Sequence, residues 1–164
     1  MKSEYQIKIY EDCYKEQLIK MILSIQQEEY QIPITREMQP DLEKIGEFYQ
    51  QGTGNFWVGV HDEQVIGSVG LIDLGQGMGA LRKMFVAKNW RGREIGLSAG
   101  LLQAVFAWAE EKGFSEIYLG TTEKFKAAHR FYQKNGFCQI AKADLPQVFP
   151  VMSVDTRFYQ WKNA

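Results

Sequence analysis

The stretch Phe85-Val86-Ala87-Lys88-Asn89-Trp90-Arg91-Gly92-Arg93-Glu94-Ile95-Gly96 decides how the chain is read, because it passes from an apolar strand end through a short basic loop into a long amphipathic run. Such a junction suits an anion. The first N–H groups of a helix lack internal acceptors, and the aligned peptide dipoles leave about half a positive charge there. Gly92 and Gly96 admit close backbone approach, while Arg91 and Arg93 add charge at the rim. The competing reading is an ordinary loop with two solvated arginines, since short glycine motifs are common.

Working toward the N-terminus, residues 80–86 read as a strand, and residues 65–72 and 56–60 as two more. The turns between them hold Gly75, Gly77 and Gly79 and the polar run 61–64, so the three strands predict an antiparallel meander. Residues 5–10 alternate as a half-buried strand. Residues 14–29 carry Leu18, Ile22 and Ile25 at helical spacing before Pro33. Residues 41–50 predict a second amphipathic helix, with Asp41 as its cap and Gly52 after its end.

Toward the C-terminus, residues 94–112 predict a helix. Leu101, Val105 and Trp108 share one face, Ile95, Leu102, Phe106 and Ala109 the neighbouring one, and Gly113 ends it. Residues 116–119 form a short buried strand, and residues 124–135 a helix closed by Gly136. Residues 137–142 and 151–161 make a closing strand pair around a loop stiffened by Pro146 and Pro150. This order predicts an α+β fold, a mixed and mainly antiparallel sheet with helices on both faces.

The 164 residues predict one domain spanning 1–164, and a 45% hydrophobic composition is enough for a sizeable core. Nineteen Lys and Arg against 20 Asp and Glu argue against a nucleic-acid partner. No apolar run approaches the ~18 residues of a membrane span. The start, MKSEYQIKIYEDCYKEQ, lacks the continuous apolar stretch of a secretory signal, so the expected location is cytoplasmic and no membrane partner is expected. Cys13 and Cys138 form no metal-like or redox-like pair and are expected to be reduced packing residues, as are Trp57, Trp90, Trp108 and Trp161.

With these elements in place, the chain resembles the GNAT superfamily of N-acetyltransferases over nearly its whole length. The family signature, Gln or Arg, two residues, Gly, one residue, then Gly or Ala, aligns on Arg91-Gly92-Arg93-Glu94-Ile95-Gly96, with Glu94 where the first glycine is expected. A second family feature, an alanine followed by Tyr and a Gly-Phe pair, is similar to Ala128-His129-Arg130-Phe131-Tyr132-Gln133-Lys134-Asn135-Gly136-Phe137.

The resemblance implies acetyl-coenzyme A as co-substrate, with no metal, and a small-molecule or peptide amine as acceptor that attacks directly in a ternary complex. It places the backbone amides of Arg91, Gly92, Arg93, Glu94, Ile95 and Gly96 on the coenzyme pyrophosphate. It sets the strand edge at Met84, Phe85 and Val86 against the pantetheine amides. It splays the sheet between that strand and the next, which ends near Leu119-Gly120-Thr121. Tyr132 takes the role of general acid, a phenol able to protonate the leaving thiolate; the other reading of Tyr132 is a core ring. In the other class of function, the chain is a non-catalytic acyl-coenzyme A sensor, supported by Glu94 and by Phe125, which stands where the family often has asparagine.

The base that frees the amine has two candidates, Glu123 and His129, each with a plain alternative as a helix-end charge or surface residue. No cysteine is placed for a covalent acetyl-enzyme. Glu94 reads as a tolerated substitution within the first helical turn. The loop 144–150 is expected either to shape the acceptor pocket, to help a strand cross to a second copy in a homodimer, or simply to bury Phe149. The acidic run Gln26-Gln27-Glu28-Glu29-Tyr30 reads as a solvated helix end or as a wall facing a cationic acceptor.

Overall fold

The alternating runs fold as strands β1 (Gln6–Ile9), β2 (Asn55–His61), β3 (Gln64–Gly75) and β4 (Met78–Val86), each antiparallel to the next. The computed structural model describes residues 4–163, so residues 1–3 and 164, the two ends of the expected 1–164 domain, lie outside the described residues. Helix α3 (Leu97–Lys112) carries the chain across the sheet to β5 (Glu116–Thr121), which lies parallel to β4. After α4 (Lys126–Lys134), strands β6 (Cys138–Ile140) and β7 (Arg157–Lys162) complete a seven-stranded mixed sheet in the order β1-β2-β3-β4-β5-β7-β6.

Both faces of this open sheet are covered. On one, Leu97, Leu101, Leu102 and Val105 of α3 are fully buried against Val69, Leu71, Leu81, Ile117 and Leu119. Each such side chain contributes roughly 1.5–3 kcal/mol of transfer free energy. On the other, α1 (Lys15–Leu23) packs Leu18, Ile19 and Ile22 with Leu42, Ile45 and Tyr49 over Phe56, Val58 and Val60. A Cβ at Gly59 would come within 2.9 Å of the Leu97 side chain. The missing side chain in β2 therefore lets the first turn of α3 sit down on the sheet, which fixes where its N-terminus points.

Several local expectations are corrected. The helix expected from residue 94 starts at Leu97, because Gly96 takes a left-handed φ of +71° and residues 93–95 form a turn ahead of it. The helix expected over 41–50 is a 3₁₀ turn (Pro40–Leu42) and one α turn, α2 (Ile45–Phe48), interrupted at Lys44 with φ −139°. Asp41 caps nothing. It is buried and accepts a 2.6 Å hydrogen bond from the Tyr49 hydroxyl. The helix of residues 14–29 ends as a π-helical segment, Ser24–Glu29. Residues 151–156 lie outside β7, and Lys142–Asp144 form a 3₁₀ turn. Cys13 and Cys138 are exposed rather than packed, Cys13 in the 3₁₀ turn Asp12–Tyr14 and Cys138 on the edge strand β6.

Candidate functional site

The two central parallel strands part after Ala80 and Tyr118. Beyond that point β4 stays paired with β3 as far as Val86, and β5 with β7 as far as Thr121, so the facing edges of 81–86 and 119–121 have no ladder partner among the described residues. A backbone edge in that state is ready to bind another extended chain. A cavity of about 530 Å³ occupies the gap, walled by Ala128, Phe131 and Tyr132 of α4 from one face of the sheet and by Ile25, Ile34 and Phe149 from the other.

The basic loop closes one end of this cavity. Arg91, Gly92, Arg93 and Gly96 line it, together with Ser98 and Ala99 of the first turn of α3. The Gly96 N–H donates back to the Gly92 carbonyl at 3.0 Å, whereas the N–H groups of Leu97, Ser98 and Ala99 meet no protein acceptor among the described residues. Gly92 has φ +114° and nothing within 4 Å of where a Cβ would lie, so the backbone there is open to a ligand. Unpartnered amides at a helix N-terminus with Arg93 and Lys134 in the same wall are the donor set a diphosphate needs. Arg91 is differently employed: Nε donates to the Val86 carbonyl at 2.9 Å, and the guanidinium pairs through both nitrogens with Glu29. Glu94 and Ile95 do not line the cavity. The Glu94 side chain is exposed, and the Ile95 carbonyl accepts from the Tyr5 hydroxyl at 2.9 Å.

Met84, Phe85 and Val86 all border the cavity along the free edge of β4. Phe85 lies edge-on to Phe125 with ring centroids 6.0 Å apart, and Phe125 edge-on to Tyr30 at 4.7 Å, so Phe125 joins an apolar wall. Tyr132 is buried between Phe131, Phe137 and Tyr159 while bordering the cavity. Burial, with the Tyr159 ring beside it, pushes its phenol well above the ordinary value, which keeps it a protonated donor at neutral pH.

Glu123 and His129 do not border the cavity. They meet each other's neighbour, Arg157, instead. Arg157 donates to both carboxylate oxygens of Glu123 at 3.0 and 3.1 Å and to His129 Nδ1 at 3.2 Å. His129 Nε2 donates to the Thr122 carbonyl at 2.9 Å. Burial lowers the His129 pKa, so the neutral ring accepts with Nδ1 and donates with Nε2, and neither nitrogen is left for an incoming amine. The arrangement ties α4, and with it Tyr132, to the ends of β5 and β7.

The carboxylate that does border the cavity is Asp155, in the turn before β7. Its Oδ2 accepts from the Met152 N–H at 2.9 Å and lies 2.7 Å from where a Cβ on Gly120 would sit, so the carboxylate rests on bare β5 backbone beside the split. Burial raises its pKa. Arg82 and Lys83 of β4 share the same chamber. Burial pulls Lys83 down to about 8. The only sequence signal for these three was weak: two successive cations inside an apolar strand, and an acid before the last strand.

The chain is similar to known proteins in both sequence and fold. The family model described as the Acetyltransferase (GNAT) family matches residues 19–137. The chain is 32% identical over 106 residues to an N-acetylaspartate synthetase of Danio rerio, a match covering 63% of this chain and 37% of that protein. The chain thus spans only about a third of the length of that relative. It is 43% identical to an acetyltransferase of the GNAT family from Staphylococcus aureus Mu50, with a TM-score of 0.93 and 97% and 99% of the two chains covered. The PaiA N-acetyltransferase from Thermoplasma acidophilum, solved in complex with coenzyme A, shares the fold at a TM-score of 0.75 and 17% identity, over 98% and 99% of the chains.

Proposed function

The chain belongs to the GNAT acetyltransferase family, and from that premise we propose that it transfers an acetyl group from acetyl-coenzyme A to a primary amine by direct attack in a ternary complex. The observation that carries this reading is the cavity through the split sheet, with free first-turn amides at one end, the open edge of β4 along it and Tyr132 in its wall. The amides of Leu97, Ser98 and Ala99, with the backbone at Gly92, hold the diphosphate. The β4 edge at Met84–Val86 aligns the pantetheine arm as an added strand would be aligned. Acetyl-coenzyme A supplies the activated acyl carbon as a thioester.

The residues then handle protons. An ammonium acceptor gives one proton to Asp155, whose raised pKa makes it a better base than an ordinary carboxylate. The freed amine forms the C–N bond as the C–S bond breaks. Tyr132 donates its phenolic proton to the departing sulfur and is reprotonated by the proton that the new amide nitrogen loses. Glu123 and His129, proposed from the sequence as bases, act on position instead, through Arg157.

The acceptor-amine screen that tests this follows free thiol release from acetyl-coenzyme A. Release that depends on both the amine and Tyr132 supports acetyl transfer. Tight coenzyme binding with no release over a broad amine panel would favour the non-catalytic sensor.

A further inference from the structure

The cavity is not symmetric in charge. Among the described residues its acceptor-side chamber holds two cations, Arg82 and Lys83, and one anion, Asp155. Successive residues of a regular strand point to opposite faces, yet these two share a chamber because β4 bulges there. The pairing register to β3 shifts between Ser68 and Gly70, and Lys83 has φ +55°. A non-glycine residue in the left-handed region costs of order 1 kcal/mol, and here the Ser68 hydroxyl holds the displaced Lys83 carbonyl at 2.7 Å.

The Lys83 ammonium is buried with three contacts, and Asp41 supplies its buried counter-charge. It donates to Gln39 Oε1, touches the Met152 sulfur at 3.8 Å and lies 3.7 Å from Asp41 Oδ2, an oxygen already taken by the Tyr49 hydroxyl. Arg82 has no carboxylate within ion-pair distance among the described residues; its guanidinium stands over the Phe48 ring at 5.7 Å. Asp155, from the opposite lip of the split, feels the charge of both. A ligand that meets all three groups carries an amine toward Asp155 and Gly120 and an acid toward β4. Ile25, Ile32, Ile34 and Phe149 give the chamber apolar walls, and Gln26 lines it beside them.

Resting on the acetyl-transfer reading, we propose that the acceptor is a small amino-carboxylate: the β4 bulge presents Lys83 and Arg82 as the site for the carboxylate of the molecule whose amine is acetylated. A planar carboxylate takes the guanidinium fork and the ammonium together. Asp155 sits where the amine of such a molecule must lie for attack beside the strand split.

Matched acceptor pairs test this with the intact chain. Amino acids are compared with their carboxamides and with the corresponding simple amines, with 2-aminoethyl phosphate as a further arm. Thiol release is followed, and kcat/KM is referred to the unprotonated amine. The wild type is expected to prefer the carboxylate member of each pair at least tenfold, mostly through KM. Lys83→Met and Arg82→Gln are each expected to cut that ratio at least tenfold, and Lys83→Arg to retain most of it. The wild-type ratio stands as a test even if a variant fails to fold. Equal or better use of neutral amines, preference for the phosphate ester, or an unchanged ratio in folded Lys83→Met would overturn the proposal while leaving acetyl transfer intact. Absence of thiol release with every amine would sink both.

Discussion

The two ends of the cavity are built differently. The end proposed for the coenzyme is mostly consecutive backbone: an apolar strand edge, a loop with Gly92 and Gly96, and the first turn of α3, all within residues 84–99, with the Lys134 side chain in the same wall. The end proposed for the acceptor is assembled from side chains far apart in sequence, Gln26, Arg82, Lys83, Phe149 and Asp155, brought together by a π-helical segment, a strand bulge and a proline-stiffened loop. Backbone chemistry at fixed local spacing tolerates changes of side chain; an assembly of distant side chains does not. Substitutions should therefore act on the two ends in different ways.

The largest effect is expected at their junction. Tyr132→Phe keeps the ring in its aromatic cage and removes only the proton donor, so turnover should fall on the order of a hundredfold or more, with acetyl-coenzyme A affinity, read by calorimetry, changed little. Unaltered turnover would return Tyr132 to the core. Next comes Asp155→Asn, expected to lower kcat/KM for the amine at least tenfold and to abolish the acidic limb of the pH–rate profile. Because the Asp155 pKa is raised by burial, wild-type activity should fall off on the acid side at a higher pH than an ordinary carboxylate would give. A wild-type profile flat on that side would assign the base elsewhere.

Lys83 gives the comparison an opposed pair of readouts. Its pKa is about 8 in the folded chain against 10.5 for the free side chain, so between those values the unfolded chain binds more protons and stability rises with pH. Over the same range the ammonium discharges, and KM for carboxylate acceptors should increase. Asp41 and Asp155 favour the charged form and Arg82 opposes it, with burial the largest influence. Lys83→Met should flatten both trends, in thermal melts and in acceptor titrations.

At the coenzyme end the effects are smaller. Glu29→Gln removes the partner of Arg91, a half-exposed pair worth under about 1 kcal/mol, and should alter the acetyl-coenzyme A dissociation constant by no more than a few-fold. Glu94→Gly should leave that constant unchanged or slightly improved, since the side chain is exposed and outside the cavity wall. A large loss would make Glu94 a ligand.

The same contrast explains what the sequence could tell. Strand alternation, the Gly92 and Gly96 spacing and the α3 stripe are local patterns, and they placed the β2–β3–β4 meander, the basic loop and α3; the split was expected only from the family resemblance. Residues 41–50 misled because their apolar spacing suits a helix, whereas the structure pulls Asp41 inward to Tyr49 and breaks the chain at Lys44. Glu123 and His129 stood near the right strand end, but Arg157, remote in sequence, claims both. Asp155 and Lys83 depend on a turn and a bulge that no periodicity announces. The Arg82-Lys83 pair, two charges where alternation allows one, was the sole trace of that bulge.

Acetyl transfer as proposed requires the coenzyme to lie in the β4–β5 split. Amide hydrogen exchange, measured with and without saturating acetyl-coenzyme A, tests this most directly. Slowed exchange concentrated at residues 84–86 and at the loop and first helical turn through Ala99 is the predicted result; bound coenzyme with no protection at either segment would contradict it.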